Sequence, residues 1–327
     1  MRCLALFSGG LDSMLACKLI ANQGIEVIAL NFDIGFGGDE EKIKLMEQRA
    51  QDSGAKFKEI NRRQKYLDEI LFNPKYGYGK HFNPCIDCHG FMFREALNLL
   101  KEFDASFLIS GEVIGQRPMS QRKDAMNQVK KLSGDAEGLI LRPLSALLMK
   151  ETKPELEGWV DRSKLLGLSG RGRNFQLNLA EEFGFKDYES PAGGCLLTLE
   201  SFELKIKDFL KFDENLSVDD FQILRFGRHL RLPDGAKIVI GRNEIENKKL
   251  NSLKNEKLTR IYVKDLSGAL VLISKNASQN DKILGSKLAA TYARSLAGKE
   301  YEANIENEKF IISPLKSKDD AKNYMLN

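Results

Sequence analysis

Proline is sparse, eight in 327 residues, histidine occurs three times, and no apolar run nears the roughly 20 residues that a bilayer-spanning helix requires. So few prolines, with 27 glycines in no fixed period, exclude collagen-like, mucin-like and linker-dominated chains. The missing apolar run predicts no membrane span. Gly9, Gly10 and Asp12 fall where a secretory signal would keep its apolar stretch, so no such signal is expected. Five cysteines is an odd count in a long chain. That speaks against a disulfide framework and for a reducing cytoplasm, where spaced cysteines bind metal or do chemistry. Neither G-x-x-x-x-G-K-[ST] nor G-x-G-x-x-G occurs, which removes the Walker loop and the dinucleotide fingerprint. What remains is 42% hydrophobic and 29% charged, an ordinary globular composition that folds without staples. The length suits two domains.

The net charge of +4 is unevenly spread. Residues 1–199 hold 27 basic and 27 acidic side chains, whereas residues 200–327 hold 23 and 19. Within the latter, residues 225–264 carry 11 basic and 4 acidic groups. A basic segment confined to one domain suits a polyanion, although scattered Lys and Arg are commonly a solvated face.

The first half alternates short apolar runs with helical patterns. Strands are predicted at 2–7, 26–33, 56–60 and 106–110, and helices at 12–22, 39–53, 90–102 and 120–132. This period means right-handed crossovers and a parallel doubly wound α/β sheet, with ligands at the carboxyl ends of the strands. Residues 72–90 read as a loop. Residues 158–175 form a second, basic one with Arg162, Lys164, Arg171 and Arg173. The domain boundary is placed near Glu200, giving domains 1–199 and 200–327. The second is a smaller α+β domain in the order helix, strand, strand, helix, strand, strand, helix, strand, its longest helix spanning about 279–296.

Ser8-Gly9-Gly10-Leu11-Asp12-Ser13 lies between the first strand and the first helix. The glycines let bare N–H groups approach a ligand, the helix N-terminus adds orphan donors and positive dipole, and Ser8 and Ser13 add hydroxyls. Together they make an anion cradle of pyrophosphate size; the plainer reading is a capped Gly-Gly turn. The segment resembles the S-G-G-x-D-S loop of PP-loop ATP pyrophosphatases (adenine nucleotide alpha hydrolases), enzymes that adenylate a substrate and release pyrophosphate. The resemblance implies ATP with Mg2+ as the nucleotide, and the β and γ phosphates held by Ser8, Gly9, Gly10, Asp12 and Ser13.

A second segment, Ser110-Gly111-Glu112-Val113-Ile114-Gly115-Gln116 running on to Ser120-Gln121, resembles the G-E-x-x-G-Q-x-x-S-Q stretch of tRNA 4-thiouridine synthetases, with one extra spacer residue. Leu141-Arg142-Pro143-Leu144 resembles the R-P-L that follows in that family. The resemblance spans roughly residues 1–160 and adds Gly111 and Gln116 to the expected nucleotide-binding residues. The family's N-terminal RNA-binding region is not expected here, since the first strand begins at Arg2.

Pro84-Cys85-Ile86-Asp87-Cys88-His89 carries a C-x-x-C at the entry to a helix, and Cys195 follows Gly193 and Gly194 far downstream. Cys3 and Cys17 read as small core residues. A C-x-x-C serves as a zinc half-site, a redox pair or cluster ligands. Zinc would take Cys85, Cys88, Cys195 and His89. Thiolates at a helix N-terminus are expected to be acidified and nucleophilic. The thiolation enzymes that the chain resembles either carry a persulfide on one cysteine or hold a [4Fe-4S] cluster on a C-x-x-C plus one distant cysteine. The resemblance therefore implies Cys85, Cys88 and Cys195 as catalytic and metal-binding residues beside Asp12, with the cluster favoured over the persulfide. His81, His89 and His229 read otherwise as surface or hydrogen-bonded residues.

In the second domain, Gly241-Arg242-Asn243 with Asn247 and Leu250 resembles the G-R-s-x-x-x-N-x-x-L pattern of the RNA-binding domain of NFACT proteins. The expectation is a tRNA uridine thiotransferase that turns ATP into AMP and diphosphate. Its partners would be tRNA and a sulfur donor: a cysteine desulfurase, a carrier or sulfide. The alternatives are another adenylating PP-loop ligase with structural zinc, an ATP-sensing RNA-binding protein and, for the second domain, a stability or dimerisation module. The modified uridine, the ring position and the oligomeric state are left open.

Overall fold

A computed structural model describes residues 1–38, 40–189, 195–213 and 216–326. Contacts divide the chain into Met1–Thr198 and Leu199–Asn327. In the first unit, β1 (Arg2–Leu6), α1 (Leu11–Ala21), β2 (Glu26–Asp33), α2 (Glu40–Asp52) and β3 (Ala55–Asn61) follow in turn. A short α3 (Arg63–Tyr66), α4 (Cys85–Leu99), β4 (Phe107–Ser110), α5 (Lys123–Ser133), β5 (Ile140–Leu141), α6 (Lys153–Leu156) and α7 (Asn174–Glu182) complete it. The five strands are parallel in the order β3-β2-β1-β4-β5. Alternate residues of β1 face opposite layers. Cys3 and Ala5 join the core beneath α1, and Leu4 joins the one beneath α4 and α5.

The order reverses between β1 and β4, so the loops after these two strands diverge and leave the crevice where such sheets bind ligands. The phosphate-loop motif follows β1 and the Gly111–Gln121 motif follows β4. The predicted strands stand. The helix predicted at 90–102 begins five residues earlier, at Cys85, because Pro84 caps it and the Asp87 carboxylate in its first turn accepts the Lys75 and Tyr76 amides at 2.7 and 3.0 Å. Both cysteines of the C-x-x-C therefore lie inside α4. The helix predicted from 120 starts at Lys123.

The second unit opens with two helices, α8 (Glu200–Phe212) and α9 (Val218–Leu224), where one was predicted. Ser217 caps α9 with a capping box to Asp220. Then come β6 (Arg228–Arg231), β7 (Lys237–Ile240), α10 (Glu244–Ser252), β8 (Leu258–Val263), β9 (Val271–Ser274), α11 (Gln279–Thr291), β10 (Tyr301–Ile305) and β11 (Glu308–Ile312). The strands form a six-stranded antiparallel sheet, β11-β10-β8-β9-β7-β6. The terminal hairpin supplies a strand that was not predicted, and α11 ends at Thr291 rather than near 296. There the Thr291 hydroxyl bonds back to the Lys287 carbonyl at 2.7 Å and accepts the Leu315 amide at 2.9 Å. Residues of α11 pack on one face with Ile238, Ile261 and Ile273, and Ile223 and Leu250 pack on the other with Val239 and Leu270.

Candidate active site

Gly10 caps α1 in extended conformation, preceded by Gly9 at φ +73°. The Ser13 hydroxyl donates to the Gly10 carbonyl at 2.7 Å and lies 3.4 Å from the Ser8 hydroxyl. The two predicted hydroxyl donors thus meet at the mouth of the turn. Gly111 stands against the same helix start. A Cβ there would lie 2.5 Å from the backbone of Asp12 and Ser13. Backbone on both sides cannot yield cheaply, so Gly111→Ala is expected to cost about 2–3 kcal/mol. Calorimetry should show it as a lowered melting temperature of the first unit, together with loss of the thermal shift given by ATP. A variant as stable as the parent would contradict this packing.

Three segments far apart in sequence converge on Asp12. The Gln116 amide donates to its Oδ2 at 2.5 Å, Arg173 from the basic loop pairs with the same oxygen, and Gln176 of α7 holds Gln116 at 3.0 Å. The loop is tied down where the Gly170 amide donates to the Ile114 carbonyl at 2.7 Å. Among the described residues, Asp12 Oδ1 and Arg173 Nε are buried without a hydrogen-bond partner. A bare carboxylate oxygen and a bare guanidinium N–H beside a phosphate-type turn suit a magnesium ion and a phosphate oxygen respectively. Of the other loop arginines, Arg162 is spent on scaffold, pairing with Glu155 and donating to the Ala146 and Met149 carbonyls at 2.8 and 3.0 Å.

The Glu112 and Arg142 motifs meet as a buried ion pair, Arg142 Nε donating to Glu112 Oε2 at 2.8 Å. His89 Nδ1 lies 2.9 Å from the other carboxylate oxygen. Burial alone would raise the Glu112 carboxyl; Arg142 and His89 outweigh it and hold it at about 2. Its contribution is therefore complete above the ordinary carboxylate pKa of about 4.3 and is lost as pH falls from there towards 2. Glu112→Gln is expected to cost about 3 kcal/mol at pH 7, with the gap to the parent narrowing in thermal melts taken between pH 5 and pH 2.5. A gap independent of pH would contradict it.

Cys85, Cys88 and Cys195 form no disulfide. The charges of Cys195 and Cys85 act on Cys88, and that of Cys85 on Cys195. Burial, then this mutual repulsion, pushes the Cys88 thiol well up and the Cys195 thiol to about 11. For Cys88, expected to be acidified at the helix N-terminus, the direction is the opposite, because loss of solvent disfavours the thiolate. Tyr66 closes the group. Its hydroxyl is buried against Cys88, and each side chain acts on the other. Among the described residues no three Cys, His, Asp or Glu side chains stand grouped around one point as ligands to an ion. The three thiols act on one another's charge. Soft thiols of this kind suit a thiophilic metal or cluster, which would hold them as thiolates. Gly193 and Gly194 lie outside the described residues.

Residues 187–189 are tied to the phosphate loop. Glu189 bridges Gly10, Arg49 pairs with Asp187 at 3.1 Å and donates to the Gly9 carbonyl at 3.2 Å, and Lys42 binds Glu189 at 2.7 Å while its charge acts on Cys195. Sequence reasoning did not single out Tyr66, Lys42, Glu189 or Gln176. Only Arg173 carried a signal, as part of a basic loop. Cys3 and Cys17 are core residues, and burial raises the Cys17 thiol to about 12.

Residues 2–77 match the Arginosuccinate synthase N-terminal HUP domain, and residues 227–325 match the NFACT protein RNA binding domain. The chain is similar to a probable tRNA sulfurtransferase of Thermococcus kodakarensis, 32% identical over 149 residues that cover 45% of this chain and 38% of the relative. It is similar too to tRNA-specific 2-thiouridylase MnmA 2 of Clostridium botulinum, 31% identical over 32% of each chain. These matches span about a third of the relatives' length. Among solved structures, a 4-thiouridine synthetase in complex with RNA and ATP aligns at 20% identity and a TM-score of 0.40, over 56% of this chain and 40% of the other.

Proposed function

We propose that this chain, a HUP-type PP-loop ATP pyrophosphatase domain related to tRNA thiouridylases joined to an NFACT-type RNA-binding domain, is an ATP-dependent tRNA uridine thiotransferase. The observation that carries the reading is the convergence of Gln116 and Arg173 on Asp12 in the Ser8–Ser13 turn, in a unit that also holds the free thiols of Cys85, Cys88 and Cys195. A uracil carbonyl oxygen is a poor leaving group. Attack by that oxygen on the α-phosphate of ATP releases pyrophosphate and leaves the base joined to AMP. Sulfur at the oxidation level of sulfide then replaces the oxygen, which departs on AMP. Both steps need the reacting atoms held at near-attack distance, and the base must leave its stack to reach them.

Ser8, Gly9, Gly10 and Ser13 would hold the β and γ phosphates, with Asp12 on magnesium and Gln116 and Arg173 orienting it. Cys85, Cys88 and Cys195 would hold a [4Fe-4S] cluster, a group that would supply sulfide to the activated base. With a persulfide instead, one of the three would take its outer sulfur from a persulfide donor, and attack by a second thiolate on the inner sulfur would break the S–S bond, release sulfide and leave a disulfide between the two cysteines.

The test is anaerobic incubation of the protein with ATP, sulfide and unmodified tRNA, followed by nucleoside mass spectrometry and pyrophosphate assay. Thiouridine formed in step with pyrophosphate is expected. Pyrophosphate without thiouridine, from protein holding one zinc and no iron, would favour an adenylating ligase. ATP binding without any pyrophosphate would favour a sensor.

A further inference from the structure

The residues that mark the RNA-binding pattern of the second unit are spent on its scaffold. A Cβ at Gly241 would stand 2.0 Å from Asn247 Oδ1, so the glycine makes room for that amide. Asn247 Oδ1 in turn accepts the Leu270 amide at 3.0 Å. Arg242, ahead of α10, pairs with Glu246 of that helix, and Leu250 is buried. These contacts seat α10 on the sheet. The groups that meet RNA must then come from surfaces that the pattern leaves free.

One such surface is built. Glu244, Lys248 and Asn251 stand at steps of four and three residues, hence on one stripe of α10. With Arg260 and Leu270 they line an open groove of about 230 Å³. On β8, Arg260 and Tyr262 alternate with buried Ile261 and Val263 and share the outward face. Tyr262 is 52% exposed, and Ile311 of β11 is 65% exposed. Antiparallel register sets Asn304 beside Tyr262, and Lys309 beyond it. The carboxylates here are neutralised, Glu244 by Lys248 at 2.7 Å and Glu302 by Lys309 at 3.4 Å. Arg260 makes no ion pair or side-chain hydrogen bond among the described residues, so its charge is in surplus.

Resting on the reading of this unit as RNA-binding, we infer that an unpaired RNA segment lies across this face. One base enters the groove beside α10, the next stacks on Tyr262, and the phosphate between them meets Arg260. A duplex hides its base faces, whereas an exposed ring beside a base-sized, amide-lined groove serves bases that have left their stack. The surplus cation favours a polyanion over a protein segment.

The test is fluorescence anisotropy of the full chain with a short unpaired oligoribonucleotide and with the same sequence closed into a duplex. Tighter binding of the unpaired form is expected. Tyr262→Ala should weaken it about tenfold, the scale of one stacked base, and Tyr262→Trp should not. Arg260→Ala should lower affinity and reduce the salt slope by about one. If the parent binds RNA and both alanine variants match it, or if duplex binds equally well, this face is not the site, while the RNA-binding reading survives. If the parent binds no RNA at low salt, both fall.

Discussion

Cys195→Ala is expected to leave tRNA-dependent pyrophosphate release standing while thiouridine formation falls by on the order of 10³-fold or more, the scale for removing a group that acts on the reacting atoms. The split follows from the layout. The phosphate turn draws on residues 8–13, 116 and 173, and none of their hydrogen bonds passes through a sulfur. Cys195 enters only through its effect on Cys88 and its response to Cys85 and Lys42. Cys88→Ala should behave alike. Cys17→Ala is the control, since Cys17 is wholly buried in the core beneath α1. It should thiolate at the parental rate. Nucleoside mass spectrometry on the same samples decides: thiouridine from Cys195→Ala at parental yield would remove the trio from the chemistry, and loss of pyrophosphate release in that variant would make Cys195 a structural residue.

The first unit was legible because its signals are local. A strand, a Gly-Gly turn and a helix occupy adjacent residues at the start of the chain, and strand–helix alternation carries the parallel sheet with it. The relation between motifs was not legible. That Glu112 pairs with Arg142, and that Gln116 reaches Asp12, depends on β4 lying beside β1 and on Gly111 permitting contact with the α1 backbone. No spacing rule encodes such a contact. Tyr66 escaped notice because a buried tyrosine beside sulfur looks, in sequence, like any core aromatic. The helix dipole misled the reading of the cysteine thiols because burial is a tertiary property. In the second unit the basic segment and the G-R pattern were visible, but only the geometry separates Asn247, which ties α10 to the residues ahead of β9, from Arg260, which faces outward.

Asp12→Asn keeps the shape of the side chain and removes its charge, so it separates packing from electrostatics at the turn. The carboxylate has two tasks in the proposed reaction. Oδ2 anchors Gln116 and Arg173, while Oδ1, buried and without a partner among the described residues, is left for a cation. Developing charge on a leaving pyrophosphate is neutralised by fixed cations, and loss of one such group costs about 10²–10³-fold. Asp12→Asn is therefore expected to lower kcat/KM for pyrophosphate release by that factor, with little change in melting temperature. Arg173→Ala should lower it less, since Gln116 still holds Asp12. Were the only task of Asp12 to park Arg173, the double variant Asp12→Asn with Arg173→Met would recover most of the loss, because no buried guanidinium would remain unpaired. The proposed role predicts no recovery. Pyrophosphate release within twofold of the parent in Asp12→Asn would show that the turn holds something other than a triphosphate.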